Sequence, residues 1–118
     1  MFKILDFTKD NIIAFKASGK IQKTDYEMLD PLLEKTEKEH PFIKLFIMIG
    51  DIEGITPEAL MKDIITYFKH VKNVNKAAIV GEGKAEKTIT KIADPFIKGD
   101  LKYFPLEEMD VAREWIEK

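Results

Sequence analysis

The chain has no cysteine and one serine, Ser18. Without cysteine there are no disulfides, no thiolate metal sites and no cysteine nucleophile, a composition that fits a reducing cytosol. Charge of one sign is also missing. Lys and Arg number 19 against 21 Asp and Glu, the net charge is -2 and the pI is near 5.7, so no general attraction to nucleic acid or anionic membrane is expected. No apolar run approaches the ~20 residues that a membrane-spanning helix needs. The first residues enter a strand pattern at once, without signal-peptide architecture, so a cytoplasmic location is expected. Glycine and proline are few, 6 and 5 in 118 residues, and no linker or low-complexity tract breaks the chain. One domain over residues 1–118 is expected, large enough to bury roughly two thirds of its unfolded surface.

What the chain does have is centred on Phe42–Ile49, a nearly unbroken apolar run of strand formers too short for a helix. Apolar side chains at consecutive positions face both sides of a sheet, so this strand should be covered on both. It stops at Gly50-Asp51, passes through Ile52-Glu53-Gly54-Ile55 and re-enters regular structure at Thr56-Pro57-Glu58. A threonine N-cap, proline at the first helical position and glutamate in the first turn make a helix start. Leu60, Ile64, Tyr67, Phe68 and Val71 form the main stripe of that helix, widened by Met61 and Ile65. So broad an arc exceeds what contact with a sheet requires. It is either buried under a neighbouring helix or offered to a partner or an apolar ligand.

On the N-terminal side, Phe2–Phe7 and Asn11–Ser18 read as two strands of an antiparallel hairpin turning at Thr8-Lys9-Asp10. Thr24 with Glu27 reads as a capping box opening a helix to about Glu39, with Pro31 kinking it or marking a separate first turn. The charge run Glu34–Glu39 is a solvated helix face. Further on, Asn73-Val74-Asn75 reads as a turn, Lys76–Gly81 as a strand and Ala85–Phe96 as a helix. Leu101–Phe104 reads as the last strand and Leu106–Ile116 as a closing helix. Strands alternating with helices imply a largely parallel sheet with right-handed crossovers.

Groups able to do chemistry are sparse. His40 and His70 sit at predicted helix ends, where a cationic side chain suits the dipole, and neither has a partner at triad spacing. Gly81-Glu82-Gly83-Lys84 follows a strand but lacks the spacing of a phosphate loop, and Glu82 would repel an anion. Asp51, Glu53 and Glu58 bracket the loop after the central strand without the ligand density of a calcium loop. No nucleophile, base and oxyanion donor converge. An enzyme is not expected, nor a metal or other cofactor.

The order of elements, together with Gly19-Lys20-Ile21, Thr24-Asp25-Tyr26 and Leu32, resembles the SpoIIAA-like proteins. Ala77–Gly81 and the closing Tyr103-Phe104 with Ala112–Ile116 extend the resemblance over nearly the whole chain. These proteins are small relatives of the STAS domain (sulfate transporters and anti-sigma-factor antagonists), and also resemble CRAL-TRIO lipid-binding domains. The resemblance implies an α/β fold, a STAS-like β-α superhelix of order β-β-α-β-α-β-α-β-α. Its mostly parallel five-stranded sheet has an antiparallel first strand and helices mainly on one side. In anti-sigma-factor antagonists a phosphorylatable serine follows an aspartate at the helix after the central strand. Here Thr56 falls on the aspartate and Pro57 on the serine, which implies a module without that phospho-switch.

Two functions from different classes follow. The first is a non-enzymatic protein-interaction or regulatory module, its contact surface formed by Asp51, Glu53, Ile55 and Thr56 with the helix behind them. The second is a carrier or sensor of a lipid or other apolar small molecule, with Met61, Ile65 and Phe68 as the pocket wall. Enclosed volume separates them, since a carrier needs ~300 Å³ or more of apolar cavity and a partner face can be flat. If helices cover only one sheet face, the other needs a second copy, so a homodimer is expected.

Overall fold

The computed structural model describes residues 1–69, 71, 73–81 and 100–118. Five strands form one sheet in the order β1-β2-β3-β4-β5: β1 Phe2–Ile4, β2 Ile12–Gly19, β3 Ile43–Ile52, β4 Val74–Gly81 and β5 Asp100–Pro105. β1 is antiparallel to β2 and every other pair is parallel, as expected. The helices are α1 Lys23–Glu39, α2 Pro57–Phe68 and, after a 3-10 turn at Leu106–Glu108, α3 Met109–Glu117. The expected helix Ala85–Phe96, the loop beyond Gly81 and His70 lie outside the described residues.

β3 lies in the middle of the sheet and is buried on both sides. Ile43, Leu45, Ile47 and Ile49 join Ile13 and Phe15 of β2, Leu29 and Leu33 of α1 and Leu60 and Ile64 of α2. Phe46, on the opposite face, joins Ala14, Ala78, Val80, Phe104, Phe7 and the α3 residues Ala112 and Ile116. Fully burying one large apolar side chain contributes about 1.5–3 kcal/mol, and Phe15, Phe46, Leu45 and Ile79 are all buried to 1% exposure or less. The second face is thus covered from within the chain. The homodimer was expected only if that face lay bare, and that premise is gone.

Three local readings change. α1 starts at an N-cap Gln22, two residues before Thr24. Asp25 decides this: its Oδ2 accepts from Gln22 N at 2.7 Å while its Oδ1 accepts from Phe2 N at 3.0 Å. One carboxylate therefore closes the helix start and ties β1 to it. Pro31 lies inside an unbroken helix. It cannot bond the carbonyl one turn back, but Leu29, Leu33 and Thr36 hold that helix by their burial, and Thr36 Oγ1 returns a bond to Leu32 O at 2.7 Å. β1 ends at Ile4 instead of reaching Phe7. Thr8 Oγ1 accepts from Ala14 N and donates to Ala14 O, both at 2.9 Å, and the chain turns at Asp10 with φ +53°. Phe7 packs edge-on against Phe46 on the second face, opposite to Phe2.

Cover by α3 has a measurable consequence. Ile116 is fully buried, so Ile116→Ala is expected to cost about 2–4 kcal/mol in urea unfolding. A loss below about 1 kcal/mol would mean that something other than α3 shields this face.

Candidate functional site

α2 follows β3 through a short loop and runs back along the sheet, so its two ends face opposite ends of the strands. The start of α2 is set by Thr56, whose Oγ1 accepts from Ala59 N at 3.1 Å, with Pro57 at the first helical position. The Thr56 hydroxyl is therefore engaged as a cap. Ahead of it, Gly54 takes φ +86°, a backbone that favours glycine, and Ile55 is 40% exposed.

Two clefts result. The larger, about 520 Å³, lies between α2 and the first halves of β3 and β4. Leu45, Ile47, Ala77 and Ile79 of the sheet form its floor, and Met61, Ile64, Ile65 and Phe68 of α2 its wall. Phe42, Lys69, Val71, Asn73 and Asn75 stand at its end. The second, about 440 Å³, lies at the C-terminal ends of the parallel strands and is lined by Lys16, Gly50, Asp51, Pro57, Tyr103 and neighbours. There Tyr103 donates to Gly81 O at 2.6 Å, and a side chain on Gly50 would meet Lys16 Cε at 2.9 Å.

The residues singled out from the sequence are divided between these places. Met61, Ile65 and Phe68 come together on the wall of the larger cleft, and all three are buried rather than displayed on an outer surface. Asp51 reaches the smaller cleft, while Glu53, Ile55 and Thr56 line neither. Among the described residues no group of three or more His, Asp or Glu could hold a metal ion, and no helix is long and apolar enough to cross a membrane. Val71, expected in the main stripe of the helix, lies beyond the end of α2 at Phe68. Asn73-Val74-Asn75 carries turn chemistry, yet β4 already begins at Val74, with Asn73 turning the chain at φ +82°.

Beside the larger cleft, α1 and α2 are joined through tyrosines. Tyr67 of α2 donates to the Asp30 carboxylate of α1, its hydroxyl lies 3.2 Å from Tyr26 O, and the two rings pack 5.2 Å apart. Burial, with the Asp30 bond and charge, pushes the Tyr67 hydroxyl well above its ordinary range. Tyr26 is pushed up to about 12 by burial and by the charges of Asp63 and Asp25.

A family model described as SpoIIAA-like matches residues 12–117. Among solved structures, an uncharacterized protein with a SpoIIAA-like fold from Shewanella loihica PV-4 is 32% identical to this chain. The match covers 98% of this chain and 92% of that one, with a TM-score of 0.68. No curated protein matches the chain significantly.

The tyrosine seam predicts an alkaline loss of stability. Both hydroxyls hold their protons more tightly in the folded chain than at the unfolded value of 10.0. Their contribution is complete below that value and is lost as pH climbs through the raised folded ones. Melting temperature is therefore expected to fall from about pH 10 upward, and the Tyr26→Phe, Tyr67→Phe double variant to flatten the fall. An unchanged slope in that variant would assign the loss to other groups.

Proposed function

The chain belongs to the SpoIIAA-like family, and from that premise we propose that residues 1–118 form one non-enzymatic binding domain whose larger cleft holds a lipid or other apolar small molecule. The observation that carries this is the cleft of about 520 Å³ behind Met61, Ile65 and Phe68. It exceeds the ~300 Å³ at which drug-sized ligands begin to be enclosed, and most of its lining is aliphatic or aromatic. The protein-interaction reading has less behind it. The face of α2 on which it drew is buried, and Ile55 is the one large apolar side chain exposed in the loop before α2. A single exposed isoleucine is ordinary surface.

Native mass spectrometry of the protein purified from a bacterial host tests the proposal, with Val71→Trp as the comparison. Val71 is partly exposed at the end of the cleft, so the larger ring blocks entry without entering the core. The expected result is a lipid-sized extra mass on the parent chain, reduced at least about tenfold in the variant. A clean parent mass, together with no uptake of anilinonaphthalene sulfonate, would return the interaction module to first place. The same spectrum reports whether the chain pairs with a second copy, which the proposal does not require.

A further inference from the structure

The smaller cleft, at the C-terminal ends of the parallel strands, contains a cation that the chain leaves unanswered. Lys16 is the one charged residue of β2, set between the fully buried Phe15 and Ala17. It is half-buried in the cleft lining, and no ion pair or hydrogen bond holds its ammonium group among the described residues. Lys3 of β1 stands directly opposite it in the antiparallel pair, and like charges so placed are destabilising. Gly50 directs the lysine. Its φ is not positive, so the backbone alone does not call for glycine there, yet a methyl group at that position would lie 2.9 Å from Lys16 Cε. Lys16 is in register with Met48, two residues before Gly50, so its side chain leans over Gly50 toward the strand ends. Around it the lining is open to a ligand: Met48 and Ile52 are partly exposed, and Pro57 and Leu106 face solvent.

We propose that this cleft binds a small organic carboxylate, its charged end on the Lys16 ammonium and its apolar body against Met48, Ile52 and Leu106. The site is separate from the larger cleft and does not depend on how that one is read. Open α/β sheets take ligands outside the carboxyl ends of their strands, and a cleft of about 440 Å³ suits a small molecule. An ammonium–carboxylate contact is a charge-assisted hydrogen bond, among the strong ones. The surroundings select a single negative charge. Asp51 also lines the cleft, from the position after Gly50 and so from the other side of the strand. One negative charge answers Lys16, whereas the second charge of a phosphate would meet Asp51. Pro57, the α2 residue in the lining, has no N–H to offer a phosphate either.

Titration of the full chain with hexanoate, 1-hexanol and inorganic phosphate, followed by backbone amide NMR shifts, tests this. Hexanoate is expected to give saturable shifts at Gly50, Asp51 and Ile52. It should bind at least about tenfold more tightly than hexanol, the ratio that one hydrogen bond to a charged group gives. Lys16→Met, which keeps an apolar stem, should bring the two within about twofold by weakening hexanoate alone. Gly50→Ala keeps the charge but pushes the lysine aside, and should weaken hexanoate too. Equal binding of hexanoate and hexanol by the parent, a preference that survives Lys16→Met, or phosphate held more tightly than hexanoate overturns the proposal. Hexanoate shifts gathered at Phe42 and Val74 overturn it as well, while leaving the reading of the larger cleft in place. No saturable shift at millimolar hexanoate refutes it outright. Ligand-free Lys16→Met is expected to melt no lower than the parent, because one of two opposed like charges is gone. A marked fall would show that the folded chain already holds the ammonium group, and would refute the proposal.

Discussion

β3 must be buried on both faces, and most of the architecture answers that demand. An edge position would leave Leu45 or Phe46 half bare, so the strand needs a neighbour on each side, and β2 and β4 supply them. Because both are parallel to it, the chain must cross over the sheet between them. Right-handed crossovers stepping in one direction place their helices on one face, which is where Leu29 and Leu33 of α1 and Leu60 and Ile64 of α2 lie. Nothing in that logic covers the other face. α3 does so with Ala112 and Ile116, helped by Phe7 from the loop between β1 and β2.

The same constraint separates the two ends of α2. A helix running back along the strands carries its N-terminus to the polar end of the sheet and its apolar arc to the opposite end. Asp51 and Pro57 thus share surroundings with Lys16 and Tyr103, while Phe68 shares its own with Phe42 and Val74. Residues only a few positions apart in the chain serve different clefts. Proximity in sequence is a poor guide to a shared site when a helix lies between.

The features legible in the sequence were those with a repeating physical signal. The two-faced run at Phe42–Ile49, the Thr56-Pro57 start and the spacing of Leu60, Ile64 and Phe68 each follow from one periodicity or one local bond. All three stand in the fold within one to three residues. The wall of the larger cleft was legible for the same reason, because Met61 and Ile65 widen that helical stripe beside Phe68. What escaped depends on partners remote in sequence. Gln22 rather than Thr24 begins α1 because Asp25 also serves Phe2, twenty-three residues away. Asn75 looks like a turn residue until its strand is paired with β3, for only the register against Ile43 and Lys44 exposes the bulge. Pairing register has no counterpart in a single segment's pattern.

The pair Ala77-Ala78 shows how one stretch of strand serves both faces differently. In a centrally placed parallel strand, valine or isoleucine would be the usual occupant of either position. On the first face Ala77 is buried in the same core cluster as Leu45, Ile47 and Ile79. On the second face Ala78 belongs to the same packed cluster as Ala112 of α3, and two methyl groups let a helix come close to the sheet. The difference lies in what stands opposite. Trp115 and Ile116 fill the flanks of the α3 contact with large side chains, and Phe104 packs 5.8 Å from the Trp115 ring. On the first face the core is closed by Leu60, Met61 and Ile64 of α2. Close packing is the rule for protein interiors, and this strand meets it against α3 on one side and against α2 on the other.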